Sequence, residues 1–404
     1  MRTRSIPVEV RALLWLGAVL AFGYAVGCAL PHGPRFHPGG FVSKAFAWDS
    51  EHYEQIALHG YQRDQTGAPT LLIAFFPGWP VIESVLMTFA GSTQMGRGLA
   101  ALFSGCVGIV SVVAFARLAR SALPTEGAEL ATLLYALYPG AHFLFQPYPT
   151  ALMQLCTILV LQNLVTGRLW RAAVISGLAT SFGPLMVFVG LAVMLTACIA
   201  AWRDRRTNPG AFRRFCVLAP VLGAVAFSGL LLFMLWQARA FGDPLAFVAA
   251  GRAWEVPMAL TAHAERALAL ALTVPDLLRA GTRLHMAMTL AGQGQWSEAQ
   301  ISFEDAVDLL VLFIMSAGAI VAIRLQAKPL ALAAILVIAG FIWFAGAPQG
   351  GQAAIRLIYP AIGCFLGLGS LATASPAFAW VLPPVFAVLL VLDQAFLVAG
   401  YWVV

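Results

Sequence analysis

The sequence has few charged residues. Lysine, arginine, aspartate and glutamate make up 10% of its 404 residues, whereas a soluble domain carries about 25%. Hydrophobic residues make up 60%, the mean hydropathy is +0.83, and apolar runs long enough for membrane helices recur along the chain. These values exclude an ordinary soluble protein and a disordered chain, and they predict an all-α polytopic membrane protein.

Other chemical signatures are missing as well. The six cysteines lie in or at the ends of apolar runs and form no Cys-x-x-Cys pair, so neither a disulfide framework nor a zinc site is predicted. No Rossmann-type glycine loop occurs, which argues against a cytosolic nucleotide-sugar donor. The net charge of +6 comes from short basic clusters between apolar runs, which are typical of membrane topology signals and not of nucleic-acid binding.

These apolar runs and basic clusters predict the topology. We expect about eleven helices and a cytoplasmic N-terminus, because most Lys and Arg residues then fall in short inner loops. An uncleaved first helix is the simpler interpretation than a signal peptide. The apolar stretches are 12–30, 71–90, 98–116, 128–146, 150–166, 172–182 with 184–201, 216–238, 306–323, 329–346, 354–373 and 378–400.

The stretch 71–90 is an exception among these runs. Prolines and Glu83 interrupt it, so we expect an interfacial or re-entrant helix and not a full span. It belongs to the first of two large outer segments, 31–97 and 239–305, where most acidic residues gather. The whole chain, 1–404, is predicted to form a single integral membrane domain.

The densest polar cluster lies in the first outer segment. In a helix, Asp49, His52 and Tyr53 would share one face at spacing i, i+3 and i+4, while Glu51 would point elsewhere. A carboxylate beside an imidazole at the membrane surface is suited to general-base catalysis on an acceptor hydroxyl. The same pattern is also typical of an amphipathic surface helix, N-capped by Asp49 and anchored by Trp48 and Tyr53.

A longer motif includes this cluster. Trp48-Asp49-x-x-His52-Tyr53-x-x-Ile56-Ala57-x-x-Gly60-Tyr61, followed by Phe75-Phe76-Pro77-x-x-Pro80, resembles the first-loop hallmark of the PIG-V family of membrane mannosyltransferases, within the GT-C class. Two later stretches, Phe241–Phe247 with Trp254 and Arg356–Pro360, are similar to further blocks of that family. The resemblance implies a GT-C-type helical bundle with two large extracytoplasmic loops.

The resemblance also implies an activity. Such an enzyme transfers mannose from a polyprenyl-phosphate donor to a lipid-linked or glycan acceptor at the extracytoplasmic face, in a bacterial inner membrane or a eukaryotic ER membrane. Asp49 occupies the position of the base, and direct displacement from a β-linked donor would invert the anomeric centre. Membrane lipids, the donor and the acceptor are the implied partners, and neither a cofactor nor an obligatory metal is predicted.

Further candidate residues follow from the same blocks. Arg356 lies at the outer end of a predicted span, where a guanidinium can bind the leaving phosphate; a snorkelling interface arginine is the alternative. His52 is expected to orient Asp49 or to contact the donor phosphate. The predicted substrate-binding set comprises Arg356, Trp48, Glu51, Tyr53, Asp243 and Tyr359. Asp243 before Pro244 is also typical of a helix start.

The tryptophans of the outer segments fit an aromatic belt at the membrane interface. This set comprises Trp48, Trp79, Trp254 and Trp296.

Two departures from the family pattern keep alternatives open. Tyr148-Pro149-Thr150 lacks a carboxylate that many members carry there, and Thr180–Pro184 lacks an arginine, so a non-catalytic membrane subunit is one alternative. A transporter or flippase of lipid-linked sugars is the other. It would place charged residues along its spans, whereas the predicted spans are nearly free of charge: Asp308 and Asp393 are the exceptions, with Glu129 and Arg356 at the ends of two spans.

Overall fold

The computed structural model describes residues 6–46, 48–65, 67–251, 260–273, 277–343, 353–371 and 374–401. Within these ranges the chain forms helices and no β-strand, with one isolated bridge between Arg63 and Pro69. The all-α class predicted from composition is therefore confirmed.

The helices follow the apolar runs of the sequence. In chain order the described α-helices are α1 (Val8–Ala29), α2 (Phe41–Ala45), α3 (Asp49–His59), α4 (Gly78–Ala90), α5 (Thr93–Ala122), α6 (Thr125–Ala136), α7 (Thr150–Val165), α8 (Leu169–Ala179), α9 (Met186–Asp204), α10 (Pro209–Ala226), α11 (Ser228–Phe241), α12 (Ala246–Gly251), α13 (Leu260–Thr273), α14 (Leu277–Gly292), α15 (Trp296–Ala322), α16 (Lys328–Phe341), α17 (Ala354–Leu357), α18 (Ile362–Ser370) and α19 (Pro376–Ala399). Two 3₁₀ helices cover Leu71–Ala74 and Pro139–Leu144.

Six of the described helices are long and apolar enough to cross a membrane: α1, α5, α9, α10, α15 and α19. Helices of 18 residues or more rise about 27 Å or more, close to the hydrocarbon thickness of about 30 Å. The helices α7, α8 and α16 are apolar but shorter. The chain is thus an integral membrane protein with several candidate spans, and the count of eleven stays a prediction.

Two predicted spans, 128–146 and 354–373, are not continuous helices. The helix α6 ends before Pro139, and α17 ends before Pro360. Proline lacks the backbone N–H that a helix needs and disfavours the helical conformation in the residue before it. Arg356 therefore lies on a helix of four residues, and its predicted place at the end of a continuous span is wrong.

The predicted span 216–238 is also divided, into α10 and α11. Side chains of the neighbouring α8 bond to the backbone around this break. The Ser176 hydroxyl donates to the carbonyl of Ala226 at 3.0 Å, and the Thr180 hydroxyl oxygen accepts from the N–H of Leu230 at 3.2 Å. These bonds satisfy polar groups that would otherwise be exposed to lipid.

The beginnings of α1 and α6 and the end of α5 lie together. Glu9 pairs with Arg120 at 2.6 Å, and Arg11 pairs with Glu129 at 2.8 Å. All four residues belong to loops or helix ends that the charge pattern assigns to the inner face. The structure therefore brings these ends to one side of the bundle, and which side is cytoplasmic stays a prediction.

The second large outer segment, predicted as 239–305, holds α12 to α14 and the first turns of α15. Because α15 begins at Trp296 and is apolar enough for a span, Glu304 belongs to a candidate span together with Asp308. Both carboxyls are buried and have partners inside the bundle: Glu304 interacts with Asp393 of α19, and Asp308 bonds to a backbone N–H. The backbone N–H offsets part of the cost of burying the Asp308 carboxyl, whereas two neighbouring carboxyls such as Glu304 and Asp393 disfavour a charge on both.

Glycines allow α15 and α18 to approach closely. A Cβ atom added at Gly367 of α18 would overlap the carbonyl oxygen of Gly318 in α15. Small residues at such contacts are typical of helix packing in membranes. Gly17 of α1, by contrast, has open space where a Cβ would lie.

Gly367→Ala is expected to lower the free energy of unfolding by about 1–3 kcal/mol, because α15 and α18 must separate to admit the methyl group. Gly17→Ala is the matched control, and it should be neutral or slightly stabilising, since alanine favours a helix over glycine. Thermal unfolding of both variants in one detergent measures the difference. Equal melting temperatures for the two variants would contradict the close packing.

Candidate active site

The polar cluster of the first outer segment forms α3, which begins at Asp49 and ends before Gly60. Asp49, His52 and Tyr53 share one face of this helix, as predicted. The expectation that Asp49 caps the helix is wrong, because Trp48 holds the N-cap position. Asp49 is the first helical residue, and its carboxylate bonds to a partner from another part of the chain.

That partner is Arg356. Its Nη1 donates to Oδ2 of Asp49 at 2.5 Å, across 307 positions of sequence. The Arg356 and Asp49 side chains are 19% and 28% exposed, so the pair is shielded from bulk water yet reachable by a ligand. A guanidinium has five N–H donors, and its bond to Asp49 uses Nη1.

Unusual backbone conformations flank both members of this pair. Trp48, with φ of 61°, precedes Asp49, and Ala353, with φ of 67°, lies three residues before Arg356. Within the described ranges these are the only non-glycine residues with positive φ. Each such conformation costs on the order of 1–3 kcal/mol and persists where the surrounding structure enforces it, often at functional sites.

Asp308 of α15 holds the turn that carries Arg356. Its Oδ1 accepts a hydrogen bond from the backbone N–H of Ile355 at 2.9 Å, and the Asp308 side chain is buried. Because Ile355 directly precedes Arg356, this bond fixes the backbone from which the guanidinium reaches Asp49.

Asp308→Ala is expected to lower the free energy of unfolding by about 1–3 kcal/mol, because the Ile355 N–H loses its buried partner. The variant should also lose roughly 10–100-fold in catalytic rate, since small displacements of a positioned group are costly. Asp305→Ala is the control, because Asp305 lies on the same helix and its ion pair among the described residues is with Arg283, at 3.7 Å. Wild-type stability and rate in Asp308→Ala would contradict this role.

Two aromatic rings lie near the guanidinium of Arg356. Cζ of Arg356 lies 5.8 Å from the ring centre of Phe143 and 5.6 Å from that of Tyr148, and Tyr53 meets Tyr148 edge-on at 6.1 Å. Burial, followed by the negative charge of Asp49, raises the pKa of both tyrosines. The phenols therefore stay neutral at physiological pH and can donate hydrogen bonds to a ligand.

Charge also favours the protonated form of Arg356. Burial acts to lower the pKa of its guanidinium, but the charge of Asp49 and the nearby Tyr148 and Tyr53 raise it, and the net pKa lies above the ordinary value. The site thus holds a permanent cation beside a carboxylate.

Phe75 connects the two parts of the first-loop motif. His52 and Tyr53 pack against its ring at 5.0 and 5.2 Å between ring centres, and the Tyr61 hydroxyl donates to its carbonyl at 2.6 Å. In the part of the chain that the structure describes, His52 reaches the site through this packing and has no hydrogen bond to Asp49. The role of His52 in orienting Asp49 stays a prediction.

The other two carboxylates of α3 point away from Asp49, as the helical spacing predicts. Glu54 binds Arg97 of α5 through both oxygens, at 2.6 and 2.7 Å. Glu51 lies 3.7 Å from both Arg35 and His37 at the surface. Sequence reasoning did not identify Arg97, because no local pattern connects it to α3.

Glu83 of α4 lies behind α3 and is completely buried. Burial first, and then the charge of Glu54, raises the pKa of Glu83 to about 8, although the Trp79 indole and Arg97 act in the opposite direction. Glu83 is therefore protonated in the folded protein at neutral pH.

This raised pKa predicts a pH-dependent stability. Between about pH 4.3, the ordinary pKa of a glutamate, and pH 8, the unfolded chain binds fewer protons at this position, so stability falls as pH rises. Glu83→Gln should remove that slope, with a gain over wild type of about 1 kcal/mol at pH 5 that rises to about 4–5 kcal/mol at pH 8. Unfolding of both proteins across this range tests it, with Glu51→Gln as the control. Parallel curves for wild type and Glu83→Gln would refute it.

Asp243 lies apart from the Asp49–Arg356 pair in its polar contacts. Its exposed carboxylate accepts from the backbone N–H of Leu245 at 2.8 Å, and no hydrogen bond or ion pair links it to that pair among the described residues. The helix α12 begins two residues after Pro244, so Pro244 is not the first helical residue as predicted. The contact of Asp243 with substrate stays a prediction.

Tyr359 lies in the core of the helix bundle. It is fully buried, its hydroxyl donates to the carbonyl of Tyr135 at 2.8 Å, and its ring stacks on Tyr138 at 4.4 Å. It has no surface open to a ligand, so its predicted substrate contact would require movement of the core.

The predicted aromatic belt is only partly supported. Trp79 is fully buried, so its assignment to the interface is wrong; its ring lies 6.3 Å from that of Phe103 in α5. Trp48 is half-buried under the guanidinium of Arg35, at 4.6 Å, and Trp296 is half-buried. Trp254 lies outside the described residues.

Parts of this chain are similar to known proteins. A family model described as mannosyltransferase (PIG-V) matches residues 38–243, about half of the chain. Human GPI alpha-1,6-mannosyltransferase 2 is 32% identical over 170 residues, which cover 36% of this chain and 32% of the human protein. The mouse protein of the same name is 31% identical over 169 residues, with the same shares. The matched part is thus about a third of the length of these relatives.

Among solved structures, this chain is similar to the oligosaccharyltransferase AglB from Archaeoglobus fulgidus, in complex with an inhibitory peptide and a dolichol-phosphate. The TM-score is 0.47 at 13% identity, over 96% of this chain and 56% of that chain. A likeness at this level adds nothing to the family model. On the match over 38–243, which contains Asp49 and the complete first-loop motif, the chain belongs to the PIG-V family of mannosyltransferases.

Proposed function

We propose that this chain transfers mannose from a polyprenyl-phosphate donor to a hydroxyl of a lipid-linked or glycan acceptor at the extracytoplasmic face of the membrane. The observation that carries the proposal is the ion pair between Asp49 and Arg356. It sets a base, which lies in a motif of a mannosyltransferase family, beside a phosphate-binding group. The proposed mannosyltransferase has two charged groups at one site.

Asp49 would act as the general base. It takes the proton from the acceptor hydroxyl as the hydroxyl oxygen attacks the anomeric carbon of the donor. The bond between that carbon and the phosphate oxygen breaks, and the phosphate leaves with the bonding electrons. A single displacement of this kind inverts a β-linked donor to an α-linked product without a covalent enzyme intermediate.

Arg356 would stabilise the leaving phosphate. A guanidinium forms strong, directional hydrogen bonds to phosphate oxygens, and the permanent charge of Arg356 suits a group that gains negative charge as it leaves. The rings of Phe143 and Tyr148 lie 5.8 and 5.6 Å from Cζ of this guanidinium and 5.4 Å from each other, and this contact restricts its movement. Its bond to Asp49 holds the guanidinium near the base, so that both groups can act on one donor, with the hydroxyl and the phosphate on opposite faces of the anomeric carbon.

Neighbouring side chains would bind the sugar. The Tyr53 and Tyr148 phenols are neutral donors beside the pair, and half-buried His52 lies on the same helical face as Asp49. We assign His52 to a contact with the donor phosphate or sugar. Glu51 points to the surface, two positions along the helix from the base, and would contact substrate only at the edge of the site.

The test is a transfer assay with purified protein in nanodiscs. Radiolabelled polyprenyl-phosphate mannose and GDP-mannose are supplied separately, with lipid extract from the source cells as acceptor. We expect labelled product only from the lipid donor. Transfer from GDP-mannose, or from neither donor, would overturn the proposal, and movement of the donor across vesicles without product would favour a transporter.

A further inference from the structure

A cavity of about 310 Å³ lies between α1, α2, α19 and the 3₁₀ segment that follows α6. It is lined by Leu20, Ala21, Tyr24, Lys44, Ala45, His142, Phe145, Gln146, Gln394, Leu397 and Val398. Ligand pockets are commonly about 300–1,000 Å³, so the cavity is large enough for a head group and the first part of a chain.

A buried lysine lies at this cavity. Lys44 is only 6% exposed; its Nζ donates to the carbonyl of Val398 at 2.9 Å and lies 4.1 Å from the ring centre of Phe36. Over the described residues, no carboxylate comes within ion-pair distance of it. A buried ammonium without a counter-charge favours an anionic ligand, and lysine is a common phosphate ligand.

A buried amide supplies a second polar group. Gln146 is 2% exposed, and its Oε1 has no hydrogen-bond partner among the described residues. Its Nε2 bonds to Nδ1 of His142 at 2.7 Å, and the other His142 nitrogen contacts Asp393. The Oε1 of Gln146, at the end of this series of hydrogen bonds, requires a donor such as a ligand hydroxyl, since an unpaired buried acceptor is costly.

The remaining walls are apolar and include a lipid-facing helix. Leu20, Phe145 and Leu397 are among the apolar lining residues, and Ala21 of α1 lines the cavity and is also exposed. A chain seated here could continue from the cavity into the bilayer. The cavity therefore combines a cation, a hydrogen-bond acceptor and an apolar path.

The cavity and the candidate active site share two walls. Ala45 lines the cavity, and its carbonyl accepts from the hydroxyl of Ser50, the neighbour of Asp49, at 3.2 Å. In the segment 142–148, His142, Phe145 and Gln146 line the cavity, whereas the rings of Phe143 and Tyr148 lie 5.8 and 5.6 Å from Cζ of Arg356. A ligand in the cavity would thus touch the segments that shape the site.

We propose that this cavity binds the head of a lipid phosphate that carries a hydroxylated group. The phosphate binds Lys44, a hydroxyl donates to Gln146, and the apolar chain leaves past α1. That this ligand is a substrate rests on the proposed function, whereas its binding to the cavity does not. Two sources share the chemistry: a polyprenyl-phosphate sugar bound apart from the Asp49–Arg356 pair, and a phospholipid with a hydroxylated head group.

Native mass spectrometry of the detergent-purified full chain tests this binding. The probes are mannosyl farnesyl phosphate, phosphatidylglycerol, phosphatidylcholine and inorganic phosphate. Lys44→Gln removes the charge, and Ala21→Trp fills the cavity. The matched controls are Lys328→Gln, at an exposed lysine, and Leu14→Trp, on the lipid-facing side of α1.

We expect at least tenfold weaker binding of one hydroxylated lipid phosphate in Lys44→Gln and Ala21→Trp, with less than twofold change in the controls. Preference for the farnesyl or the glycerol lipid assigns the source, and either supports the site. Wild-type binding in both cavity variants, or equal binding of phosphatidylcholine, would overturn it. Asp49→Asn should bind the lipid phosphate as wild type does. If wild type binds the lipid but transfers no mannose, the proposed function fails and the binding site stands.

Discussion

Asp49→Asn is expected to lower the rate of mannose transfer by about 10²–10⁴-fold, the usual contribution of a general base. Asparagine keeps the shape of the side chain and can still accept a hydrogen bond from Arg356, but it cannot take the proton of the acceptor hydroxyl. Initial rates of labelled transfer in nanodiscs measure the loss. Affinity for the lipid donor should change much less than the rate, because the charge change matters most as the proton moves.

Glu51→Gln is the matched control for this result. It removes a carboxylate from the same helix, two positions away, where the only partners in the described chain are Arg35 and His37 at 3.7 Å. We expect a change of less than threefold, since surface pairs of this kind contribute little. Equal losses in Asp49→Asn and Glu51→Gln would contradict the assignment of the base.

Arg356→Ala should have the second largest effect. Loss of one positioned donor to a developing charge commonly costs about 10²–10³-fold in kcat, and here the leaving phosphate would lose its guanidinium. Arg356→Lys should recover only part of the rate, because an ammonium keeps the charge but not the planar set of donors. The two variants, measured for kcat and KM, separate charge from geometry.

The control for Arg356 is Arg35→Ala. Arg35 is also an outer-segment arginine above an aromatic ring, that of Trp48, but its nearest carboxylate is Glu51 at 3.7 Å. We expect nearly wild-type kcat for Arg35→Ala. Full activity of Arg356→Lys together with full activity of Arg356→Ala would exclude a role in leaving-group stabilisation.

The sequence predicted the local features of the site well. Helical spacing separates Asp49 from Glu51, and in the structure each carboxylate has its own partner. Composition predicted the helical class, and the first-loop motif predicted the family. These features depend on neighbours within a few positions or on a contiguous pattern, which a single sequence contains.

Features that depend on distant contacts were harder to predict from the sequence. Phe143 and Tyr148 reach Arg356 from more than 200 positions away, and no spacing rule connects them. Trp79 lies in a segment with turn residues and a carboxylate, which suggested the interface, yet helix packing buries it completely. Tertiary packing, and not the local pattern, decides such positions.

The most direct test of the central claim is a double-mutant cycle. Transfer rates are measured for wild type, Asp49→Asn, Arg356→Ala and the double variant, with thermal unfolding as the check on folding. Residues that act as one unit lose little more together than the worse single variant does, so the double variant should match that single variant within about threefold. Losses that multiply would show that Asp49 and Arg356 act independently and would contradict a shared catalytic site.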